Sequence, residues 1–297
     1  MRQIVNILIL GVLMMSCESK KTNNSTETIA QLDTIDLLQT TFIDSVKQTS
    51  KIDTVITKVC DCQDFDKSKR HNPYEADLSF SKHIINIRAK NENDSIFSVY
   101  SADSLRLTIK SIRFLMFDTI PEKFAVFKNV EHIVIDECRK NISGLDIFPN
   151  LKSVFFEGSQ IDVDPSEKWL SRIEGIYALK SAVKGLLTFK TTPKLKEIYF
   201  AFASLEPFPA DFDELKCLRR ITLGAYRGDI DLSKIDLALN PCIEQVEFST
   251  WYDAFSGIPQ GLDTNRTFEL IINHQKLTKE EKEIIKTFNK RNKNASQ

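Results

Sequence analysis

Between residues 105 and 275 the chain repeats itself every 21 to 25 residues. This period constrains the fold more than any other feature of the sequence. The template is apolar, two residues, apolar, one residue, apolar. It reads Ile109-Ile112-Phe114, Val130-Ile133-Ile135, Leu151-Val154-Phe156 and Ile173-Ile176-Ala178. It continues as Leu195-Ile198-Phe200, Leu218-Ile221-Leu223, Ile243-Val246-Phe248 and Phe268-Ile271-Asn273. A second signature supports the register. Six residues before the anchor stand Phe124, Leu145, Phe189, Phe212, Leu237 and Leu262, while Asp103 and Glu167 occupy that place before Ile109 and Ile173. Three of these belong to the pattern apolar-Pro-x-x-apolar: Ile120-Pro121-x-x-Phe124, Phe208-Pro209-x-x-Phe212 and Ile258-Pro259-x-x-Leu262.

The alternation apolar, x, apolar predicts a short strand with one buried face. About 22 residues hold one such strand and one return segment. A single coil cannot bury its own apolar face, so coils stack and their strands join in a parallel sheet. Proline lacks a backbone N–H and begins the return, and the apolar residue three places later packs inward. The ends require lids. Thr278 and Glu281 form a capping box at the start of a helix whose apolar stripe is Ile284, Ile285 and Phe288. At the other end, the alternation in Ile85-Ile87 and Phe97-Val99 leaves room for a ninth, degenerate coil.

These stretches resemble the leucine-rich-repeat family, in a divergent bacterial form with Ile, Val and Phe in place of many Leu. The family usually has Asn eight residues after the anchor, where this chain has Phe117, Cys138, Ser159, Ser181, Ala203, Tyr226 and Trp251. The resemblance implies an α/β solenoid with a short parallel concave sheet, an irregular convex side and a C-terminal capping helix.

The first 16 residues read as an address. Met1-Arg2 is followed by an apolar run from Ile4 to Met15, broken only by Asn6. That run is too short for a comfortable bilayer span and fits a secretory signal. It ends in Leu13-Met14-Met15-Ser16-Cys17, which resembles the lipobox of bacterial lipoproteins, with Met14 and Met15 departing from the usual residues. The resemblance implies lipidation at Cys17 and a membrane-anchored envelope protein, at the outer membrane or cell surface. The expected organisation is a signal over 1–16, a polar tether over 17–56 and an N-terminal cap region over 57–104. Repeats follow over 105–276, and a capping helix with its tail over 277–297.

Charge is balanced at 40 Lys+Arg against 41 Asp+Glu, so no global electrostatic case exists for nucleic acid. Only 9 glycines are present and no phosphate-binding loop, hydrolase elbow or zinc-protease motif appears. His71, His83, His132 and His274 are scattered along the chain. A metal site from His71, His83, Cys60 and Cys62 is outweighed by the reading of exposed histidines beside a disulfide. No metal, no cofactor and no enzymatic activity are expected. With Cys17 assigned to lipid, Cys217 and Cys242 each precede an anchor by one residue in consecutive coils. Neighbouring strands lie about 4.8 Å apart, inside the disulfide range, so a Cys217–Cys242 bridge is weighed against free thiols. Pairing of Cys60 with Cys62 stays open.

Side chains alternate along a strand, so the position four after each anchor faces the concave solvent. It reads Arg113, Val134, Phe155, Tyr177, Tyr199, Thr222, Glu247 and Ile272. Phe155, Tyr177 and Tyr199 fall on consecutive coils, flanked by Leu179 and Ala201, with Asp136 and Glu157 at the N-terminal side. An aromatic patch edged by charge resembles a protein-binding surface. The expected function is recognition of a protein, or of a glycan, by this face. The rival readings are a scaffold lipoprotein without a discrete ligand, in which the aromatic row only stabilises neighbouring strands, and an enzyme.

Overall fold

The computed structural model describes residues 60, 62, 84–88, 106–139, 142–185, 188–250, 254–263 and 266–295, all within the unit Asp53–Gln297. The signal, Cys17, the tether, most of the N-terminal cap region, His71 and His83 lie outside the described residues.

Nine parallel strands form one sheet: β1 (Ile84–Arg88), β2 (Ser111–Leu115), β3 (His132–Asp136), β4 (Ser153–Glu157), β6 (Gly175–Leu179), β8 (Glu197–Ala201), β10 (Arg220–Gly224), β12 (Gln245–Ser249) and β14 (Glu269–Asn273). The coil register is the one the sequence predicts. Ile112, Ile133, Val154, Ile176, Ile198, Ile221 and Val246 pair in one row, and Phe114, Ile135, Phe156, Ala178, Phe200, Leu223 and Phe248 in the next. All fourteen are at most 3% exposed. The ninth coil is present: β1 places Ile85 beside Ile112 and Ile87 beside Phe114. The parallel sheet and its stacked coils are those of a leucine-rich-repeat solenoid.

The last strand departs from the expected phase. Val246 pairs with Leu270 and Phe248 with Ile272. Ile272 is therefore buried at 8%, and Ile271 faces out at 40% exposure. A one-residue slip exchanges the two faces of a strand.

Each main-sheet strand from β2 to β10 is followed by a left-handed residue, seven places after its anchor: Met116, Glu137, Gly158, Lys180, Phe202 and Ala225, with φ between 47° and 61°. The turn aims each N–H at the next coil, as in Met116 N to Asp136 O at 2.8 Å and Ala225 N to Ser249 O at 2.7 Å. One residue further on, where the family has Asn, Ser159 and Ser181 donate their hydroxyls to the main chain of the preceding coil at Ile135 O and Phe156 O, 3.2 and 3.0 Å away. Tyr226 does the same over a longer reach, donating to Leu205 O at 2.7 Å and accepting from Leu205 N at 3.0 Å.

The return side, expected to be irregular, carries repeated structure of its own. Short parallel strands β5 (Gln160–Asp162), β7 (Ala182–Lys184) and β9 (Ser204–Glu206) form a three-stranded sheet. Strands β11 (Ile230–Asp231) and β13 (Phe255–Ser256) form a pair. Single 3-10 turns lead back to the next strand, and the residue six before the anchor enters the core from them, as Phe124, Leu145, Phe189, Phe212 and Leu237 do. Aromatics from successive turns meet edge to face, as Phe189 and Phe212 do at 6.2 Å. The coil with Glu167 at that place buries Trp169 and Leu170 instead.

Helix α1 (Lys279–Ala295) closes the C-terminal end. Its capping box is formed: Thr278 N donates to Glu281 at 2.7 Å and Glu281 N to the Thr278 hydroxyl at 3.1 Å. Phe288 packs on Phe268 with centroids 4.8 Å apart. Ile285 and Phe288 are buried, whereas Ile284, expected in the same stripe, is exposed. Among the described residues no helix is long and apolar enough to cross a membrane.

Candidate functional site

The nine-stranded sheet aligns the predicted aromatics. Val134, Phe155, Tyr177, Tyr199 and Thr222 are register partners on consecutive strands. Phe155, Tyr177 and Tyr199 are each half-buried, as is Leu179, while Ala201 is buried. The Phe155 and Tyr177 rings sit 6.4 Å apart, tilted by 32°.

Tyr177 does more than line the face. Gly175, two residues earlier on β6, has no side chain, and a Cβ there would stand 2.6 Å from the Tyr177 ring. The ring lies over that gap, and its hydroxyl donates to Glu197 at 2.5 Å. Burial, reinforced by the Glu197 carboxylate, holds the Tyr177 phenol well above its ordinary pKa. Arg220, 3.6 Å from the other Glu197 oxygen, extends this into a three-residue bridge over β6, β8 and β10.

At the N-terminal side Arg113 donates to Asp136 at 2.9 and 2.6 Å and to Glu157 at 2.6 Å. The side chain starts on β2 and reaches β4, so it passes over β3. This accounts for Val134, expected to face solvent, being 3% exposed. Glu157, expected to border a binding surface, is held in this ion pair.

Along the sheet edge, one residue after each anchor, charges alternate from Lys110 through Glu131, Lys152 and Glu174 to Lys196, and Arg219 and Glu244 form a further opposite pair. Lys110 and Lys152 contact Glu131 at 2.8 and 2.6 Å, Lys196 contacts Glu174 at 2.9 Å, and Arg219 contacts Glu244 at 3.2 Å. Hydrogen bonds from the two lysines lower the Glu131 carboxyl from 4.5 to about 2.

The sequence reading missed a groove beside the aromatic row. It has a volume of about 260 Å³ and lies among Tyr199, Thr222, Glu247, Ser249 and Asn273. Its floor exists because the outward position at the strand end carries Ala201, Gly224 and Ser249 on β8, β10 and β12, where β3, β4 and β6 carry Asp136, Glu157 and Leu179. Three small residues at one coil position in succession were the available signal.

The cysteines require a correction. Cys217 and Cys242 do not bond to each other: Cys60 bonds to Cys217 and Cys62 to Cys242, each with a Cα separation of 5.2 Å. Adjacent coils place the two acceptors side by side, and a two-residue step in the N-terminal segment matches that spacing. As disulfides, Cys60 and Cys62 offer no thiolates to a metal, and no cluster of metal-ligating side chains occurs among the described residues. Cys138 is buried and takes part in no disulfide.

His132 and Ser153 form a contact of 2.8 Å between Nδ1 and Oγ across β3 and β4. Ser153 is buried, so its hydroxyl does not face a substrate, and the pair reads as a cross-strand hydrogen bond.

No protein-family model and no curated protein matches the chain. Among solved structures, the chain is similar to a leucine-rich-repeat protein of Leptospira interrogans, at 12% identity and a TM-score of 0.32, over 62% of this chain and 60% of that one. The chain therefore matches less than two thirds of that protein's length, and the fold assignment rests on the coil period and register described above.

Proposed function

We propose that this protein is a lipid-anchored bacterial envelope module, without catalytic activity, that binds a protein partner on the concave face of its solenoid. The observation that carries this reading is the in-register row Phe155, Tyr177 and Tyr199, partly buried and on the outward face of the sheet. Aromatic side chains supply large contact area at low entropic cost and concentrate binding energy. Neutralised ion pairs flank the row and leave the rings as the adhesive element. The anchor is proposed from Ser16-Cys17 and the apolar run before it.

The bridge from Tyr177 through Glu197 to Arg220 supports a second reading, a scaffold lipoprotein whose aromatics only brace the sheet. A photo-crosslinking amino acid at position 155 or 199, in intact producing cells, separates the two. Under the binding reading one discrete adduct forms from these positions and none from Lys190 on the return side. Adducts only from Lys190, or none, leave the scaffold reading. Labelling with a palmitate analogue tests the anchor: the parent is tagged and Cys17→Ala is not.

A further inference from the structure

We propose that the groove between Tyr199 and Glu247 receives a basic side chain, lysine or arginine, of the partner protein. The proposal rests on the concave-face reading above and names the chemistry of one subsite within it. The first observation is charge. Of the outward carboxylates on the nine-stranded sheet from β3 to β12, Asp136 and Glu157 meet Arg113, and Glu197 meets Arg220. Glu247 is the exception: among the described residues the one hydrogen bond to its carboxylate comes from the Ser249 hydroxyl, at 3.0 Å. A half-buried carboxylate in a groove favours a cation that displaces water and forms a charge-assisted hydrogen bond.

The second observation is shape. Tyr199, Thr222 and Glu247 are successive register partners, so Tyr199 and Glu247 stand about two strand spacings of 4.8 Å apart. An extended aliphatic stem lies across Thr222 and the small floor of Ala201 and Gly224. Its charged end meets Glu247, with the Tyr199 ring as a wall suited to a cation. Size favours a single side chain. The volume of about 260 Å³ falls below the roughly 300–1,000 Å³ of pockets that enclose whole small molecules. One side chain fits, and the rest of its chain then runs over the aromatic row.

The test is a titration of the folded protein with Nα-acetyl-lysine amide, followed by backbone amide chemical shifts. Saturable shifts are expected at Thr222, Gly224, Ala225 and Ser249. The Nε-acetylated form should bind at least tenfold more weakly, as should the parent probe to Glu247→Gln. Gly224→Val blocks the groove from its floor without touching Glu247. A Cβ there has nothing nearer than 3.9 Å, so the variant should keep its melting temperature and lose the shifts. Absence of saturable shifts, or equal affinity for the acetylated probe, overturns the proposal. A crosslink from Tyr199 that survives such a result leaves the concave-face reading standing and removes only the basic subsite.

Discussion

Tyr177 reaches Glu197 by lying across Gly175, and the bond of 2.5 Å depends on the missing side chain beneath the ring. Gly175→Ala is expected to displace the ring and break the bond. A hydrogen bond to a charged group is worth about 1.5–3 kcal/mol, and alanine returns about 0.5–1 kcal/mol of strand stability. The net loss is about 1 kcal/mol, read by denaturant melts. The same contact gives an alkaline signature. The folded phenol has a raised pKa, so its contribution is complete below the ordinary tyrosine value and declines as pH rises above about 10. Tyr177→Phe should flatten that decline. An unchanged alkaline limb would show that the contact does not form in solution.

The acid limb belongs to Glu131. Its carboxyl is lowered from 4.5 to about 2 by Lys110 and Lys152, so its stabilisation is present above pH 4.5 and lost as pH falls toward 2. Both lysines are about half exposed, and exposed pairs are worth about 0.2–1 kcal/mol each. Glu131→Gln should therefore lower stability at pH 7 by about 1 kcal/mol and by almost nothing at pH 2. A loss equal at both pH values would point to packing instead.

Lys180 is exposed and holds a φ of 51°. A left-handed conformation costs a side-chain-bearing residue about 1–2 kcal/mol, against up to about 1 kcal/mol of added chain entropy for glycine. Lys180→Gly is expected to raise stability by about 0.5 kcal/mol, visible as a higher denaturant midpoint at an unchanged slope. A lower midpoint would show that the turn is not under strain.

Non-reducing peptide mapping should recover Cys60–Cys217 and Cys62–Cys242. Loops of this length correspond to about 5 kcal/mol in the chain-entropy model, and removal of a native bridge commonly costs about 2–5 kcal/mol. Replacing Cys60 and Cys62 together by Ala should lower the melting point of the oxidised protein to that of the reduced parent. Recovery of a Cys217–Cys242 peptide instead would reject the assigned pairing.

Most of the architecture was legible because burial in this fold is periodic: seven coils repeat the same two inward positions, and any error in phase exposes both. The slip at β14 arose where the pattern was degenerate. Leu270, Ile271 and Ile272 are all apolar, so two phases fit, and the contact between Phe268 and Phe288 of α1 gave Phe268 a burial independent of the strand phase. The cysteine register was readable, because equivalent positions on adjacent strands must be close. The partners were not, since closure of a loop between Cys60 and Cys217 leaves no local trace. The aromatic row followed from side-chain alternation. Its tie to Glu197 did not, because it depends on the rotamer of Tyr177 over Gly175. The groove was a pattern of small residues in a column read only in part.

The two bridges also set the load path through the molecule. Residues 63–216 lie inside the covalent loop closed by Cys60 and Cys217. A pull delivered through the chain before Cys60 therefore enters at Cys217 and Cys242, in the coils of β10 and β12, and β1 carries none of it. The coils of β1–β8 cannot be peeled off from the N-terminal end. Glu247 and Thr222 stand on the two coils where the force arrives, and Tyr199 on the next. A load applied at those coils would reach the covalent staples without crossing the coils of β1–β8.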